Sequence, residues 1–218
     1  SCMVACGDAD AMVTGGTRHH AATIEKLNKV VESRLGEIIF GLTMLVSKGR
    51  TVFVADTNVH DNPTAEQLVK IAISSTRVAR LFGFDPKVAF LSHSTFGKPA
   101  TERTKHVREA IDLMKTMKID FDYDGEMQPD VALNPEYKAS YPFSKIVGNA
   151  NILIMPALHS ASITVKLMKT FGGAKLIGPL LIGLGLPIEI APLRSSPSEI
   201  LNLASIAAYS SEVIDYKS

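Results

Sequence analysis

Three features of the 218-residue sequence predict an α/β fold: short apolar runs alternate with longer segments of helical spacing, several of those runs are apolar throughout, and two helix-opening signatures follow them. Alternation of this kind implies parallel βαβ units, and runs without a polar face imply a sheet covered on both sides. The expected architecture is a parallel or mixed sheet with helices on both faces.

Thr51 to Asp56 (TVFVAD) is the first clear strand. Asn62-Pro63-Thr64 then reads as a helix N-cap with proline in the first turn, and Leu68, Ile71, Ala72, Ser75, Ala79 and Phe82 follow helical spacing until Gly83 stops them. Lys87 to Leu91 is a second strand, and Val107, Ala110, Ile111, Met114 and Met117 form the apolar face of the next helix. Ile119, Phe121 and Tyr123 alternate with Asp120, Asp122 and Asp124, the period of a strand with one wet face. Asn151 to Met155 (NILIM) is an apolar strand, followed by a helix of about ten residues ending at Gly172-Gly173. Pro187 to Ala191 reads as the last strand, and Ser196-Pro197-Ser198-Glu199 is a capping box opening a helix through Ile200, Leu203, Ala204 and Ala207. In open α/β sheets ligands lie beyond the carboxyl ends of the strands, which points to the loops after Leu91, Met155 and Ala191.

With 46% hydrophobic and 21% charged residues, the chain has material for a sizeable core, which argues against disorder, collagen-like repeats and a disulfide-held mini-protein. Lys and Arg (23) nearly cancel Asp and Glu (22), so no net positive field favours nucleic acid or an anionic membrane. Cys2 and Cys6 lie near one end without metal-ligand spacing, which fits a reducing, cytoplasmic setting. The most apolar stretch, Leu176 to Leu193, carries Gly178, Pro179, Gly183, Gly185, Pro187, Glu189 and Pro192, which would break a spanning helix several times. The first residues lack the basic-then-apolar order of a signal peptide and an initiator Met, so processing or truncation is expected.

Five segments carry chemistry worth weighing. In the loop Leu91 to Lys98, Ser92, Ser94 and Thr95 with Gly97 and Lys98 could hold a phosphate or acyl phosphate, or form an ordinary polar turn; the spacing is not that of a P-loop. Asp120-x-Asp122-x-Asp124-Gly125 imitates half an EF-hand loop, but Val131 stands where the bidentate Glu belongs, so the carboxylates read as the exposed side of a strand. His159 and Ser160 offer donors at a helix start. His19-His20 could touch an anion or metal near Arg18, though adjacent histidines project differently and a surface pair is the blander reading. Arg194 could clamp an anion and Glu199 could act as a carboxylate near a thiol or phosphate, or Glu199 could serve only the capping box.

The strings GDADAMVTG (Gly7 to Gly15), VADTNVHDNPTAEQLVKIAI (Val54 to Ile73), VAFLSHSTFG (Val88 to Gly97), NILIMP (Asn151 to Pro156), GGAKLIGPLLIGL (Gly172 to Leu184) and EILNLASIAA (Glu199 to Ala208) run in order over nearly the whole chain. Together they resemble the phosphate acetyl/butyryltransferase family. STFG (Ser94 to Gly97), FDYDGEMQPDVALNPE (Phe121 to Glu136), YPFSK (Tyr141 to Lys145) and MPALHSASI (Met155 to Ile163) are similar, more closely, to the phosphotransacetylase-like C-terminal domain of large bacterial NADP-dependent malic enzymes. The resemblance implies a two-lobed fold like that of isocitrate and isopropylmalate dehydrogenases, with acetyl-CoA and phosphate in the cleft between lobes. Residues 1–17 and 182–218 would be remnants of an incomplete first lobe, and 18–181 the second.

In active members of the family, as the resemblance implies, a Ser-Arg pair precedes the last helix and an Asp stands in its first turn. Aligned on EILNLASIAA, those positions hold Pro192, Leu193 and Glu199. Proline and leucine can supply neither a donor to sulfur nor a cation to an acyl phosphate, so acetyl transfer is expected to be lost. The expected function is that of a regulatory module binding acetyl-CoA through Ser92, Ser94, Thr95, His159, Ser160, Arg194 and Glu199. Malate decarboxylation, with NADP and a divalent metal, would belong to an upstream malic enzyme domain. A homo-oligomer is expected, with neither nucleic acid nor membrane as partner. The alternatives are a working transferase using Arg194 and Glu199 as catalytic residues in a shifted register, and a module serving only oligomerisation.

Overall fold

The computed structural model describes residues 1–17, 20–99, 101–214 and 216, without the side chains of residues 21 and 103. In chain order the elements are α1 (Cys2–Cys6), β1 (Met12–Gly15), α2 (His20–Leu27), β2 (Phe40–Ser47), β3 (Arg50–Ala55), α3 (Ala65–Leu81), β4 (Lys87–Leu91), α4 (Lys105–Lys115), β5 (Asp122–Met127), α5 (Pro129–Leu133), α6 (Pro135–Lys138), β6 (Ile152–Ile154), α7 (Leu158–Thr170), β7 (Lys175–Ile182), β8 (Ile188–Ala191) and α8 (Pro197–Val213). Six strands form a mixed sheet in the order β5-β4-β6-β3-β2-β7. β5, β4, β6 and β3 run parallel, whereas β2 is antiparallel to both β3 and β7. β1 and β8 form a separate parallel pair, Met12 opposite Ile188.

The period of two along the strands sends alternate residues to two different cores. Phe53, Val88, Phe90, Ile152 and Ile154 face one side and pack with Leu68, Ile71 and Ala72 of α3 and Ala110 and Met114 of α4. Val54, Ala89, Leu91 and Leu153 face the other and meet Val131 and Ala132 of α5 and Ala161 and Val165 of α7. Both faces of the sheet are therefore covered, which is why these strands read as unbroken apolar runs.

Helix starts follow local chemistry. At α3 the Thr64 hydroxyl accepts from the Gln67 N–H at 3.3 Å, and the Gln67 side chain accepts from the Thr64 N–H at 2.8 Å. This corrects the reading of Asn62 as the cap: Pro63 precedes the helix, and the reciprocal box belongs to Thr64 and Gln67. At α8 the box falls where the sequence predicts, between Ser196 and Glu199, with Pro197 at the first helical position.

Three other expectations need correction. The strand expected from Ile119 begins instead at Asp122 and runs to Met127. Its carboxylates do not mark an exposed side: Asp124 is buried and accepts from the Lys145 N–H at 2.7 Å, while Asp122 accepts from the Val147 N–H at 3.2 Å. β5 is an edge strand, and these acids satisfy backbone donors of the passing segment 145–147. Met117 lies beyond α4 and is exposed. The apolar stretch from Leu176 contains most of β7, which folds beside β2. A side chain at Gly178, whose φ is +111°, would come within 2.9 Å of the Leu42 carbonyl oxygen, where the β2–β7 register shifts. No helix among the described residues is long and apolar enough to cross a membrane.

Candidate functional site

α7 separates two cavities, because residues three and four apart on a helix share a face. His159, Ser160 and Thr164 border one, of about 860 Å³; Ser162, Val165, Lys166 and Lys169 border the other, of about 360 Å³. The loop after β3 reaches both, Thr57 and Asn58 lining the smaller and Asn62 the larger.

That loop is held by Asp56, buried at the end of β3. Its Oδ1 accepts from the N–H groups of Gly41 (2.8 Å), Asn58 (3.1 Å) and Val59 (3.2 Å). Oδ2 accepts from the His60 N–H at 2.9 Å and stands 2.6 Å from His60 Nδ1. One carboxylate thus satisfies a run of backbone donors that would otherwise be left unpaired where the chain leaves the sheet. Beside it, the Thr43 and Thr57 hydroxyls lie 3.0 Å apart, and the Thr57 hydroxyl also donates to the Gly41 carbonyl at 3.2 Å.

The smaller cavity collects positive charge. Lys166, Lys169 and Arg194 line it with Glu199 and His20. Lys169 Nζ donates to Glu199 Oε1 at 2.7 Å, and Glu199 Oε2 accepts from the Ser196 N–H at 2.7 Å. The Lys169 hydrogen bond, followed by that from Ser196, holds the Glu199 carboxyl below the usual carboxylate range. Glu199 therefore serves the capping box and pairs a cation at once. Arg194 sits in the left-handed region, φ 68°, and makes no hydrogen bond or ion pair among the described residues. In the turn before it, the Pro192 carbonyl accepts both the N–H (3.1 Å) and the hydroxyl (2.8 Å) of Ser195. Leu193 is half exposed at the cavity's edge.

His20 opens α2 against the same cavity. Both ring nitrogens are buried and neither has a hydrogen-bond partner among the described residues. Burial pushes the imidazole below its ordinary range, while the charge of Asp56 acts in the opposite direction. His19, its neighbour in the sequence reading, lies outside the described residues.

The seven residues expected to form one site fall into three groups. Arg194 and Glu199 share the smaller cavity, whereas Ser92, His159 and Ser160 border the larger one. Ser94 and Thr95 border neither. Ser94 is fully buried and donates to Glu126 Oε1 at 2.8 Å, an oxygen that also accepts from the Gly97 N–H at 3.1 Å. Thr95 Oγ1 accepts from the Gln128 N–H at 3.2 Å. These hydroxyls hold the loop after β4 to the end of β5. In the larger cavity the Ser160 hydroxyl donates to the Ala157 carbonyl at 2.7 Å, and His106 Nε2 lies 3.0 Å from the Pro156 carbonyl oxygen. Lys166 and Lys169 were not singled out from the sequence, and His20 was weighed there only as one of a pair with His19 that could touch an anion or metal, a surface pair being the blander reading. The spacing Ser162, Lys166, Lys169 on one face of α7 was the available signal for the two lysines. Among the described residues, no cluster of three His, Cys, Asp or Glu side chains could hold a metal ion.

The family model for Phosphate acetyl/butaryl transferase matches residues 1–208. The chain belongs to that family. An NADP-dependent malic enzyme of Rhizobium meliloti (strain 1021) is 47% identical over 207 residues, which make up 95% of this chain and 27% of that protein. A phosphate acetyltransferase of Clostridium acetobutylicum is 33% identical over 210 residues, 92% of this chain and 63% of that one. Among solved structures, a phosphotransacetylase from Streptococcus pyogenes matches with a TM-score of 0.90 at 32% identity, covering 96% of this chain and 65% of that chain. The family is thus found both within longer malic enzymes and in phosphate acetyltransferases, and this chain spans little more than a quarter of the malic enzymes it matches.

Proposed function

We propose that this chain is a phosphotransacetylase-like regulatory domain of an NADP-dependent malic enzyme, and that it binds acetyl-CoA in the cavity beside Arg194 without turning it over. One observation carries the reading: three cations converge on a cavity whose Pro192 and Leu193 supply neither a sulfur donor nor a charge, and whose Glu199 is tied to Lys169. A surplus of positive charge suits the phosphates of coenzyme A. A carboxylate held ionised by a lysine and an amide is a weaker base toward a thiol proton. Regulation then requires acetyl-CoA to bind two states of the whole enzyme with different affinity.

In this reading the pair β1 and β8 belongs to an incomplete first lobe, residues 1–17 and 182–218, of an isocitrate dehydrogenase-like frame, and 18–181 form the second lobe. The assembly is a cytoplasmic homo-oligomer, with NADP and a divalent metal confined to the malic enzyme domain. Ser92, His159 and Ser160 contribute from the far side of α7, and Ser94 and Thr95 act by shaping their loop.

Calorimetry of the full-length protein with acetyl-CoA tests the binding. Arg194→Ala should weaken it by about ten- to a hundredfold, the loss of one hydrogen bond to a charged group; absence of binding by the parent protein refutes the reading. A second reading, an active transferase, is favoured by Arg194 and Glu199 sharing one cavity. A coupled assay with acetyl phosphate and CoA decides between them: turnover abolished by Glu199→Gln supports the transferase.

A further inference from the structure

His20 combines features that a merely structural histidine lacks. It lies at a cavity wall, its two ring nitrogens are buried, and no donor or acceptor among the described residues meets either of them. Buried polar atoms in native proteins almost always have a partner, so an unpaired ring at a cavity edge is suited to one that arrives with a ligand. Among the described residues, the charged groups that share this cavity or act on the ring can be named. Asp56 stands on the β3 side, Lys166 and Lys169 on α7, Arg194 on the turn, and Glu199 on α8; β2 and β7 contribute Thr43, Leu176, Gly178 and Pro179, which carry no charge.

We infer that His20 is a ligand-contacting residue of this cavity, donating a hydrogen bond to an anionic oxygen of the ligand and taking up one proton from solvent as that ligand enters. The charges explain the direction. Without a ligand, burial opposes an imidazolium and the charge of Asp56 favours it. Glu199 adds little, because Lys169 already neutralises it. A phosphate entering the cavity places a second negative charge beside His20. The ring then has Asp56 on one side and the ligand on the other, and both favour its charged form. The one bond formed is the new N–H, and the one broken is that between the proton and the buffer acid or water that gave it up.

The inference rests on the proposed acetyl-CoA site, and its test separates the two. Acetyl-CoA is titrated into the full-length protein by calorimetry at pH 7.5 in two buffers of different ionisation enthalpy, where phosphate monoesters are already largely dianionic. The parent protein is expected to take up a measurable fraction of one proton per site, and its affinity to fall by up to tenfold per unit as pH rises. His20→Gln and His20→Asn keep a hydrogen-bonding side chain but should bind with no such uptake and a flatter pH profile. Equal uptake by the parent and the two variants, or none by the parent, overturns the role of His20 while leaving the site intact. Failure of the parent to bind acetyl-CoA at pH 7.5 overturns both.

Discussion

Two buried acids, one at each end of the molecule's chemistry, show what burial alone does not decide. Asp56 ends β3 where the chain turns away from the sheet, and four backbone N–H groups and one imidazole converge on it. Glu189 lies within β8, equally out of solvent, and among the described residues receives only the Leu181 N–H at 2.9 Å. Its surroundings otherwise disfavour charge, and burial pushes its carboxyl up to about 8. The difference lies in the backbone. A turn can aim successive amides at one carboxylate, whereas a strand spends its amides on the neighbouring strand.

The largest effect expected from this contrast is at Asp56. Asp56→Ala would orphan four backbone donors and the His60 ring at once, and a loss of about 5 kcal/mol or more in urea unfolding is expected, close to the whole stability of a modest domain. A loss under about 2 kcal/mol would mean that the donors find other partners and that the loop does not depend on this acid.

Glu189 gives an effect of opposite kind, visible in pH. Its folded value is raised, so the native state keeps a proton that the unfolded chain releases above about 4.5. Stability from this group is therefore complete below pH 4.5, declines between about 4.5 and 8, and is level above that. The decline should be on the order of 3 to 4 kcal/mol, and Glu189→Gln should remove most of it. Melting temperatures of the two proteins at pH 5 and pH 8 measure this; parallel curves would show that Glu189 is ionised in the fold.

The smallest effect concerns a partly exposed acid. Lys169→Ala leaves Glu199 with its Ser196 amide, so the carboxyl should move upward, toward its ordinary range, in a titration followed by carbon-13 NMR. Because the lysine is more than half exposed, the stability change should stay below about 1 kcal/mol. A larger loss would place this pair nearer to Asp56 than to a surface contact.

The sequence made the alternating architecture legible because each burial pattern is local. β3, β4 and β6 announce themselves as apolar runs, and the α8 box is readable in four residues. β2 was not legible: Phe40 to Leu45 are buried without alternation and contain Gly41 and Thr43, so neither periodicity stands out. β7 was hidden because Gly178 and Pro179, which suit an irregular pairing with β2, look like strand breakers. At the site, residues close in sequence need not face one space. Ser92 reaches a cavity while Ser94 turns inward, because Glu126, thirty-odd positions on, draws its hydroxyl. His20 could not be told from a surface histidine, since the residues that share its cavity lie on β2, the Asp56 loop, α7 and the turn before α8, far from it in sequence.

The pairing of β1 with β8 reaches across the chain, from Met12 to Ile188, a separation of 188 − 12 = 176 positions. Closing so long a loop in one step is entropically expensive, yet β2 and β7 already bring Phe40 beside Ile182. After that the effective loop left to close is short, the stretches from Gly15 to Phe40 and from Ile182 to Ile188. Loop closure therefore favours pairing β1 with β8 once the six-stranded sheet is in place.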